Sequence, residues 1–239
     1  MVNILEFNGY SSLEFGVNVA SKSMYDGSEA DLSVQEIPGR NGDIVFSNGR
    51  RKNVSITYTL MWRRNVQEKM AGLRDWLSSS AGKYFRLEDS YDPEIYRLGY
   101  VSGSLNPSIF KNSSGTVDVT FSCKPQRFLK TGEEKIVLAQ TANLINPGSG
   151  ESLPLIRVYG KGTLTIGNYV VEVKKAGTNF IDIDCERMSA YEDGNYRDDF
   201  ISVRNASQNY VFPVIPSGEF EIQLNGITKI ELTPRWWSY

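Results

Sequence analysis

The sequence predicts a mainly β protein that contains one helix and divides into two domains. Three observations support this prediction. Apolar and polar residues alternate in several short stretches, which is typical of strands with one buried face. The dipeptide Asn-Gly occurs four times beside strand-like residues, which favours tight hairpin turns. A helical spacing of apolar residues is found in a single segment.

The strands of the first half are indicated by alternation. One predicted strand has a buried face formed by Val54, Ile56, Tyr58, Leu60 and Trp62. A second has Val117, Val119 and Phe121 on its buried face. We expect hairpin turns at Asn8-Gly9, Asn41-Gly42, Asn48-Gly49 and Asn225-Gly226.

The helix is predicted over roughly Asn65 to Ser79. Val66, Met70, Leu73 and Leu77 recur there at helical spacing, and small residues end the pattern. This face predicts a helix that packs on a sheet. Trp76 widens the apolar stripe, so we expect it in the core rather than at a ligand site.

A change in composition divides the chain. Pro147, Gly148, Gly150 and Pro154 cluster among small polar residues, and we place the junction between about Phe128 and Leu153. The predicted domains are residues 1–130 and 131–239. The second shows short strands and no helical period, which predicts a β-sandwich. Strand-like alternation in this half is shown by Tyr169, Val171 and Val173, by Ile181 and Ile183, and by Phe220, Ile222 and Leu224.

Charge and composition argue against several classes of function. The chain has 26 Lys and Arg residues against 28 Asp and Glu residues, so no net field favours binding to nucleic acid or an anionic membrane. Histidine is absent, which excludes Ser-His-Asp and Cys-His catalysis and the usual zinc ligand. Cys123 and Cys185 are expected to be buried free thiols. We expect no cofactor, no metal, no membrane insertion and no secretory signal segment.

Two segments contain residues that could bind a ligand or act in catalysis. The acidic residues Asp182, Asp184, Glu186, Glu192, Asp193, Asp198 and Asp199 could serve glycoside hydrolysis or calcium binding. Because Asp182 and Asp184 alternate with Ile181 and Ile183, we expect instead the wet face of a strand followed by a solvated loop. The stretch PGRNGD lacks the residues and context of a phosphate-binding loop and is interpreted as a turn, with the reversal at Asn41-Gly42.

Several motifs in order resemble one known family. The segment IPGRNGDIVF precedes an alternating strand, a helix ending in LRDWLSSSAGKYFRLED, and DPEIYRLGYV. The second half adds LPLIRVYGKGTLTIGNYVV, IDIDCERMSAY, FPVIPSGEFEIQLNG and ELTPRWW. This series, from about Gly9 to Trp237, resembles the distal tail proteins of siphophages.

The resemblance implies a structural virion protein rather than an enzyme. Distal tail proteins form a hexameric ring at the tail tip, between the tail tube protein and the tail-associated fibre or lysin protein. In the family the N-terminal domain, a β-sheet with one helix, forms the ring around a channel for DNA and tape-measure protein. The C-terminal domain is a galectin-like sandwich similar to carbohydrate-binding modules. DNA is expected to pass through without specific binding.

The motif match points to one candidate contact site. Pro38, Gly39, Arg40, Gly42 and Asp43 match the Pro-Gly-Arg-x-Gly-Asp-like turn of the family. A closed ring of identical subunits needs heterologous contacts, and a rigid turn that presents Arg40 and Asp43 could provide one. The alternative is a solvent-exposed hairpin tip without a partner.

The sequence is also compatible with two other functions. One is a carbohydrate-binding adhesion module that stacks sugars on tyrosines such as Tyr169, Tyr191, Tyr196 or Tyr210. Trp236 and Trp237 are expected to dock onto the protein at the chain end. The other function is a carboxylate-based glycosidase.

Overall fold

The computed structural model describes residues 3–23, 27–64, 66–78, 82–110, 113–177, 179–207 and 209–239. The chain divides into two compact units. The first consists of the residues up to Arg127 together with Tyr239, and the second of Phe128–Ser238. In the described ranges no helix is long and apolar enough to cross a membrane.

The first unit is an antiparallel sheet with one α-helix. Its helix α1 spans Val66–Ser78, and a short 3-10 helix spans Ser12–Phe15. Its strands are β1 (Leu5–Phe7), β2 (Tyr10–Ser11), β3 (Asn18–Lys22), β4 (Ala30–Gln35), β5 (Ile44–Arg51), β6 (Val54–Arg63), β7 (Phe85–Asp89), β8 (Ile95–Ser102), β9 (Ser108–Phe110) and β10 (Ser114–Cys123). Seven strands follow the order β2-β1-β7-β8-β10-β6-β3, and β9 pairs with β10. Strands β4 and β5 form a separate two-stranded sheet.

The core of the first unit lies between the sheet and α1. The alternation predicted in β6 is confirmed, because Val54, Ile56, Tyr58, Leu60 and Trp62 are all buried. The matching faces of β10 and α1 are buried with them and contribute Val117, Val119, Phe121, Met70, Leu73, Trp76 and Leu77.

Trp76 is a core residue, as predicted. Its Nε1 donates a hydrogen bond to the carbonyl oxygen of Phe7 at 2.9 Å, which satisfies the buried indole N–H and ties α1 to β1. The predicted ends of the helix, Asn65 and Ser79, lie outside the described residues.

The second unit is built from strands, as the sequence predicts. They are β11 (Arg127–Leu129), β12 (Ile136–Leu138), β13 (Ala142–Asn146), β14 (Leu155–Ile166), β15 (Tyr169–Val173), β16 (Ile181–Asp184), β17 (Ser189–Glu192), β18 (Asn195–Tyr196), β19 (Ile201–Asn205), β20 (Gly218–Thr233) and β21 (Trp237–Ser238). Short 3-10 helices span Lys130–Glu133 and Asp198–Phe200. One sheet has the order β12-β20-β14-β16-β17-β18, and β13, β15 and β19 extend it. Strand β21 pairs with β11.

The two longest strands of the second unit, β14 and β20, each pair with several other strands. The first part of β14 pairs with β16, its last part pairs with β15, and the register with β20 shifts between Tyr159 and Thr163. Strands that change layer at a bulge let one sheet fold over a single core. The core of the second unit takes residues from both parts of β14 and from the strands beside them, including Ile156, Ile183 and Leu232 near the β16 pairing and Leu164, Val171 and Ile222 near the β15 pairing. Trp236 is also buried there.

Two of the four Asn-Gly dipeptides lie inside strands, where the predicted hairpin turns are wrong, whereas Asn8-Gly9 forms the expected turn. Asn8 and Gly9 both have positive φ and join β1 to β2, as a type I′ turn requires. Asn48-Gly49 and Asn225-Gly226 instead lie inside β5 and β20, where the pairing register shifts. Because a bulge also places glycine at positive φ, the dipeptide marks bulges at these two positions rather than hairpin ends.

Both cysteines are buried and free, as predicted. Burial raises the pKa of the Cys123 thiol and of the Cys185 thiol to about 12. Each behaves as a small core residue rather than as a nucleophile.

Candidate functional site

The predicted contact turn lies at the end of a β-hairpin, which we call the arm. The arm consists of β4, β5 and the connecting residues 36–43. Leu32 faces Ser47, Val34 faces Val45, and Gln35 faces Ile44 across the hairpin. In the described part of the chain, neither arm strand pairs with any other strand.

The loop reverses direction earlier than the sequence analysis places it. The N–H of Arg40 donates to the carbonyl oxygen of Ile37 at 3.1 Å, and Gly39 between them has φ of 82°. Proline at the second position and a positive-φ glycine at the third are typical of a type II turn. Gly42, at φ of 81°, provides a second bend before β5. Placing the reversal at Asn41-Gly42 was therefore wrong, because the Pro38-Gly39 pair makes the first turn.

The loop presents Arg40 and Asp43 to solvent. All residues from Pro38 to Asp43 are exposed. Within the described ranges, the side chains of Arg40 and Asp43 make no hydrogen bond or ion pair, with each other or with other residues. Their charges are therefore available to a group outside this chain.

The arm also exposes apolar residues on both of its faces. Leu32, Val34 and Val45 share one face, and Phe46 and Ile44 share the other. Val34, Val45 and Phe46 are each more than half exposed, at 59%, 56% and 54%. Sequence reasoning missed this surface, because strand alternation shows which residues share a face but not whether another layer covers it.

Charged residues fix the base of the arm. Nε of Arg50 lies 2.6 Å from Oδ2 of Asp31, and Nη1 of Arg51 donates to the carbonyl oxygen of Ser28 at 2.8 Å. The hydrogen bond from Arg50 holds the pKa of Asp31 below its usual value. These contacts cross the register shift at Asn48-Gly49 and hold the two strands together there.

The predicted wet face of the acidic segment is wrong for its first two members. Asp182 and Asp184 are 6% and 3% exposed. Arg157 donates to Asp182 through Nε at 2.7 Å and Nη2 at 2.9 Å. Arg235 donates to Asp184 through Nη1 at 2.8 Å and Nη2 at 3.3 Å. Each carboxylate is buried because a guanidinium meets it in two-point geometry.

Two further acidic residues of the segment, Glu186 and Asp198, contact donors nearby. Glu186 is exposed and lies 3.3 Å from Arg235, and Asp198 accepts hydrogen bonds from Ser189 and from the N–H of Ala190. Burial raises the pKa of Asp184, but the hydrogen bonds from Arg235 outweigh it and leave the pKa below its usual value. A general acid of a glycosidase needs the opposite shift. No group of three or more acidic or cysteine side chains that could hold a metal occurs among the described residues.

The tyrosines proposed for sugar stacking differ in exposure. Tyr196 is 76% exposed and Tyr210 is 65% exposed, whereas Tyr169 and Tyr191 are half-buried. Tyr191 faces Tyr196 directly across β17 and β18, so the two rings lie on the same face of the sheet.

Comparisons with solved structures identify the fold. The chain is similar to the Dit protein (gp 19.1) of phage SPP1, described as a paradigm of the hub adsorption apparatus in phages that infect Gram-positive bacteria. The TM-score is 0.60 at 11% identity, over 97% of this chain and 98% of that one. Chains of the phage p2 baseplate in its activated conformation match with TM-scores of 0.53 (with Sr) and 0.50 (with Ca). Both have 11% identity and cover 97% of each chain.

The match extends over both units, so the chain has the fold of phage Dit and baseplate proteins from end to end. The fold expected from the motif resemblance is thereby confirmed. No protein-family model and no curated protein matches the sequence.

Proposed function

We propose that this protein is a structural hub of a siphophage tail tip, where six copies form a ring. The observation that carries the proposal is the end-to-end fold match to a hub protein of a phage adsorption apparatus. In this role residues 1–130 build the ring, and residues 131–239 form the galectin-like domain. The function is assembly rather than catalysis, in keeping with the absence of histidine.

The arm supplies a physical reason for self-association. A two-stranded hairpin is at best marginally stable alone in water, and this one exposes valine and phenylalanine on opposite faces. Burying both faces requires a second surface, and a neighbouring copy can provide it. A contact between the arm of one copy and a different surface of the next is heterologous, so it can close into a ring.

The turn at Pro38 to Asp43 adds charge to that contact. Arg40 offers a planar donor fork and Asp43 an acceptor, and the two positive-φ glycines fix the loop that carries them. Charged groups at the margin of an apolar contact set its register more than its strength. We therefore assign Pro38, Gly39, Arg40, Gly42 and Asp43 to the subunit contact.

The proposed partners follow from the position of the hub. They are the tail tube protein on one side, the tail-associated fibre or lysin protein on the other, and the tape-measure protein in the channel. The near balance of 26 basic and 28 acidic residues suits a channel through which DNA passes without being held. The protein would assemble in the bacterial host cytoplasm and reside at the tail tip of the virion.

The mass in solution tests the proposal. We expect light scattering to give a hexamer, alone or with the tail tube protein, and electron microscopy to show rings. If the Arg40 contact is desolvated, Arg40→Ala should weaken each contact by about 2 kcal/mol and leave the monomer's melting temperature unchanged. Arg204→Ala, an exposed arginine of the second unit, is the matched control. An unaltered ring in Arg40→Ala would remove the turn from the contact, and a strictly monomeric chain with all tail partners present would contradict the ring.

Glycan binding is a second candidate, favoured by the Tyr191 and Tyr196 pair. Neighbouring aromatic rings on an open sheet face can stack on the apolar face of a sugar. A glycan array tests it, with Tyr196→Ala as the binding-deficient variant and Tyr210→Ala as the equally exposed control. If glycan binding survives Tyr196→Ala, the glycan site lies elsewhere. If no glycan on the array binds, only the structural role is supported.

A further inference from the structure

A cavity of ≈280 Å³ in the first unit contains two arginines. It is lined by residues that include Ser28, Val54, Arg97, Pro125, Arg127 and Tyr239. None of the described residues that line it has an acidic side chain. None of these lining residues belongs to the arm, although the carbonyl oxygen of Ser28 accepts a hydrogen bond from Arg51 of β5.

Arg97 is a half-buried cation with no counter-charge among the described residues. Its Nη1 is inaccessible to solvent and has no hydrogen-bond partner. Within the described ranges, the Arg97 side chain makes no ion pair either. A guanidinium removed from water without a partner is costly, and proteins rarely retain one.

The charged groups around Arg97 do not compensate for this burial. Asp89 is already occupied by Nζ of Lys22 at 2.7 Å and by the Tyr58 hydroxyl at 2.5 Å. Arg127 carries the same charge as Arg97 and donates through Nε and Nη2 to the Tyr239 carbonyl oxygen at 3.1 and 2.8 Å. Desolvation lowers the pKa of Arg97, and the charge of Arg127 lowers it further, although Cys123, Tyr58 and Asp92 act in the opposite direction.

We propose that the cavity binds an oxyanion, a carboxylate or phosphate group whose oxygens pair with Arg97. Guanidinium groups bind both kinds of oxyanion through paired N–H donors. The cavity has room for such a group, and a second arginine in its lining raises the local positive potential. The residues that line the cavity all belong to the first unit, so the site can be tested on the monomer as well as on an assembled protein.

Thermal melting of the full chain tests the site with inorganic phosphate as the probe. Raising phosphate at constant ionic strength, in exchange for chloride, should raise the melting temperature by about 2–4 °C or more. Arg97→Met keeps an unbranched side chain about as long as the apolar stem of arginine and removes the guanidinium charge, so it should abolish the phosphate shift. In chloride alone it should melt at or above the wild-type temperature, because an uncompensated charge has been removed. Arg204→Met should keep the full phosphate shift.

Two further measurements identify the source of the oxyanion. If a carboxylate of a second copy fills the cavity, phosphate produces no shift in the assembled protein, and both phosphate and Arg97→Met lower its mass in solution. Asp26 precedes Gly27 in the sequence but lies outside the described residues. If Arg97→Met and Asp26→Asn destabilise the dilute monomer equally in chloride, the chain itself supplies the partner and the proposal is overturned. It is also overturned if neither melting nor mass responds to phosphate or to Arg97→Met.

Discussion

Two arginine–aspartate pairs join parts of the second unit that are distant in sequence. Arg157 of β14 reaches Asp182 of β16, and Arg235, near the chain end, reaches Asp184 at the end of the same strand. Asp184 also accepts the backbone N–H groups of Glu186 and Arg187. These donors satisfy the buried carboxylate of Asp184. If its charge is removed, Arg235 loses its main ion-pair partner.

We predict that Asp184→Asn lowers the free energy of unfolding by about 3 kcal/mol, whereas Glu186→Gln costs less than about 1 kcal/mol. Both side chains contact Arg235, but Asp184 is buried and Glu186 is exposed. Chemical denaturation at pH 7 measures the difference. Equal losses in the two variants would show that burial of the pair contributes nothing.

The same pair gives a pH dependence with a definite sign. The folded-state pKa of Asp184 lies below its ordinary value. Its contribution to stability is therefore fully present above the unfolded-state pKa of about 4 and is lost as pH falls through the folded-state pKa. We expect the stability gap between wild type and Asp184→Asn to be constant from about pH 5 to 8 and to shrink below pH 4. A gap that widens on acidification would contradict this assignment.

At the scale of elements, a bulge bends the long strands β14 and β20. Gly162 has φ of 148°, and a Cβ at this position would lie 2.1 Å from the carbonyl oxygen of Asn225. Only glycine lets the two backbones approach this closely. The bulge is where β14 passes from its pairing with β16 to its pairing with β15.

We predict that Gly162→Ala destabilises the protein by at least about 2 kcal/mol, because neither backbone can move without breaking the ladder. Gly167 is the matched control. It also has positive φ, at 54°, but a Cβ there meets nothing within 4 Å. Gly167→Ala should therefore cost only the backbone penalty of about 1–2 kcal/mol. Thermal or denaturant unfolding of both variants measures this, and a milder effect at Gly162 would mean that the bulge relaxes.

The elements show which features of the fold local sequence can predict. Strand β6 and helix α1 were predictable, because their periodic apolar residues face one core. The Asp182 and Asp184 pairs were not, because their arginine partners lie 25 and 51 residues away. Asn225-Gly226 was misinterpreted, since a bulge and a hairpin turn need the same positive-φ glycine. In the candidate site, the motif indicated the position of the turn. It did not indicate that β4 and β5 pair only with each other among the described strands.

At the scale of the whole molecule, the exposed arm is the feature from which we infer self-association. The first unit buries the apolar face of β6 against β10 and α1, yet leaves Val34, Val45 and Phe46 in the arm exposed. The outer edges of the arm strands pair with no other described strand, and such edges in a free protein invite uncontrolled association. A defined neighbour that covers the arm resolves both problems. Assembly, rather than folding of the monomer, should therefore depend on these residues.

We predict that Val34→Asp combined with Phe46→Asp abolishes ring assembly while the isolated chain melts within about 2 °C of wild type. The two changes place a charge on each face of the arm, so a partner would have to bury it unpaired. In the monomer both positions already face water, and surface substitutions there alter stability by less than about 0.5 kcal/mol. Val137→Asp, at an equally exposed valine in β12 of the second unit, is the control and should assemble normally. Light scattering and electron microscopy of tail tips measure assembly. Intact rings from the double variant would mean that the arm stays in solvent and that the ring is held by another surface, whereas a collapse in melting temperature would mean that the arm packs within its own chain.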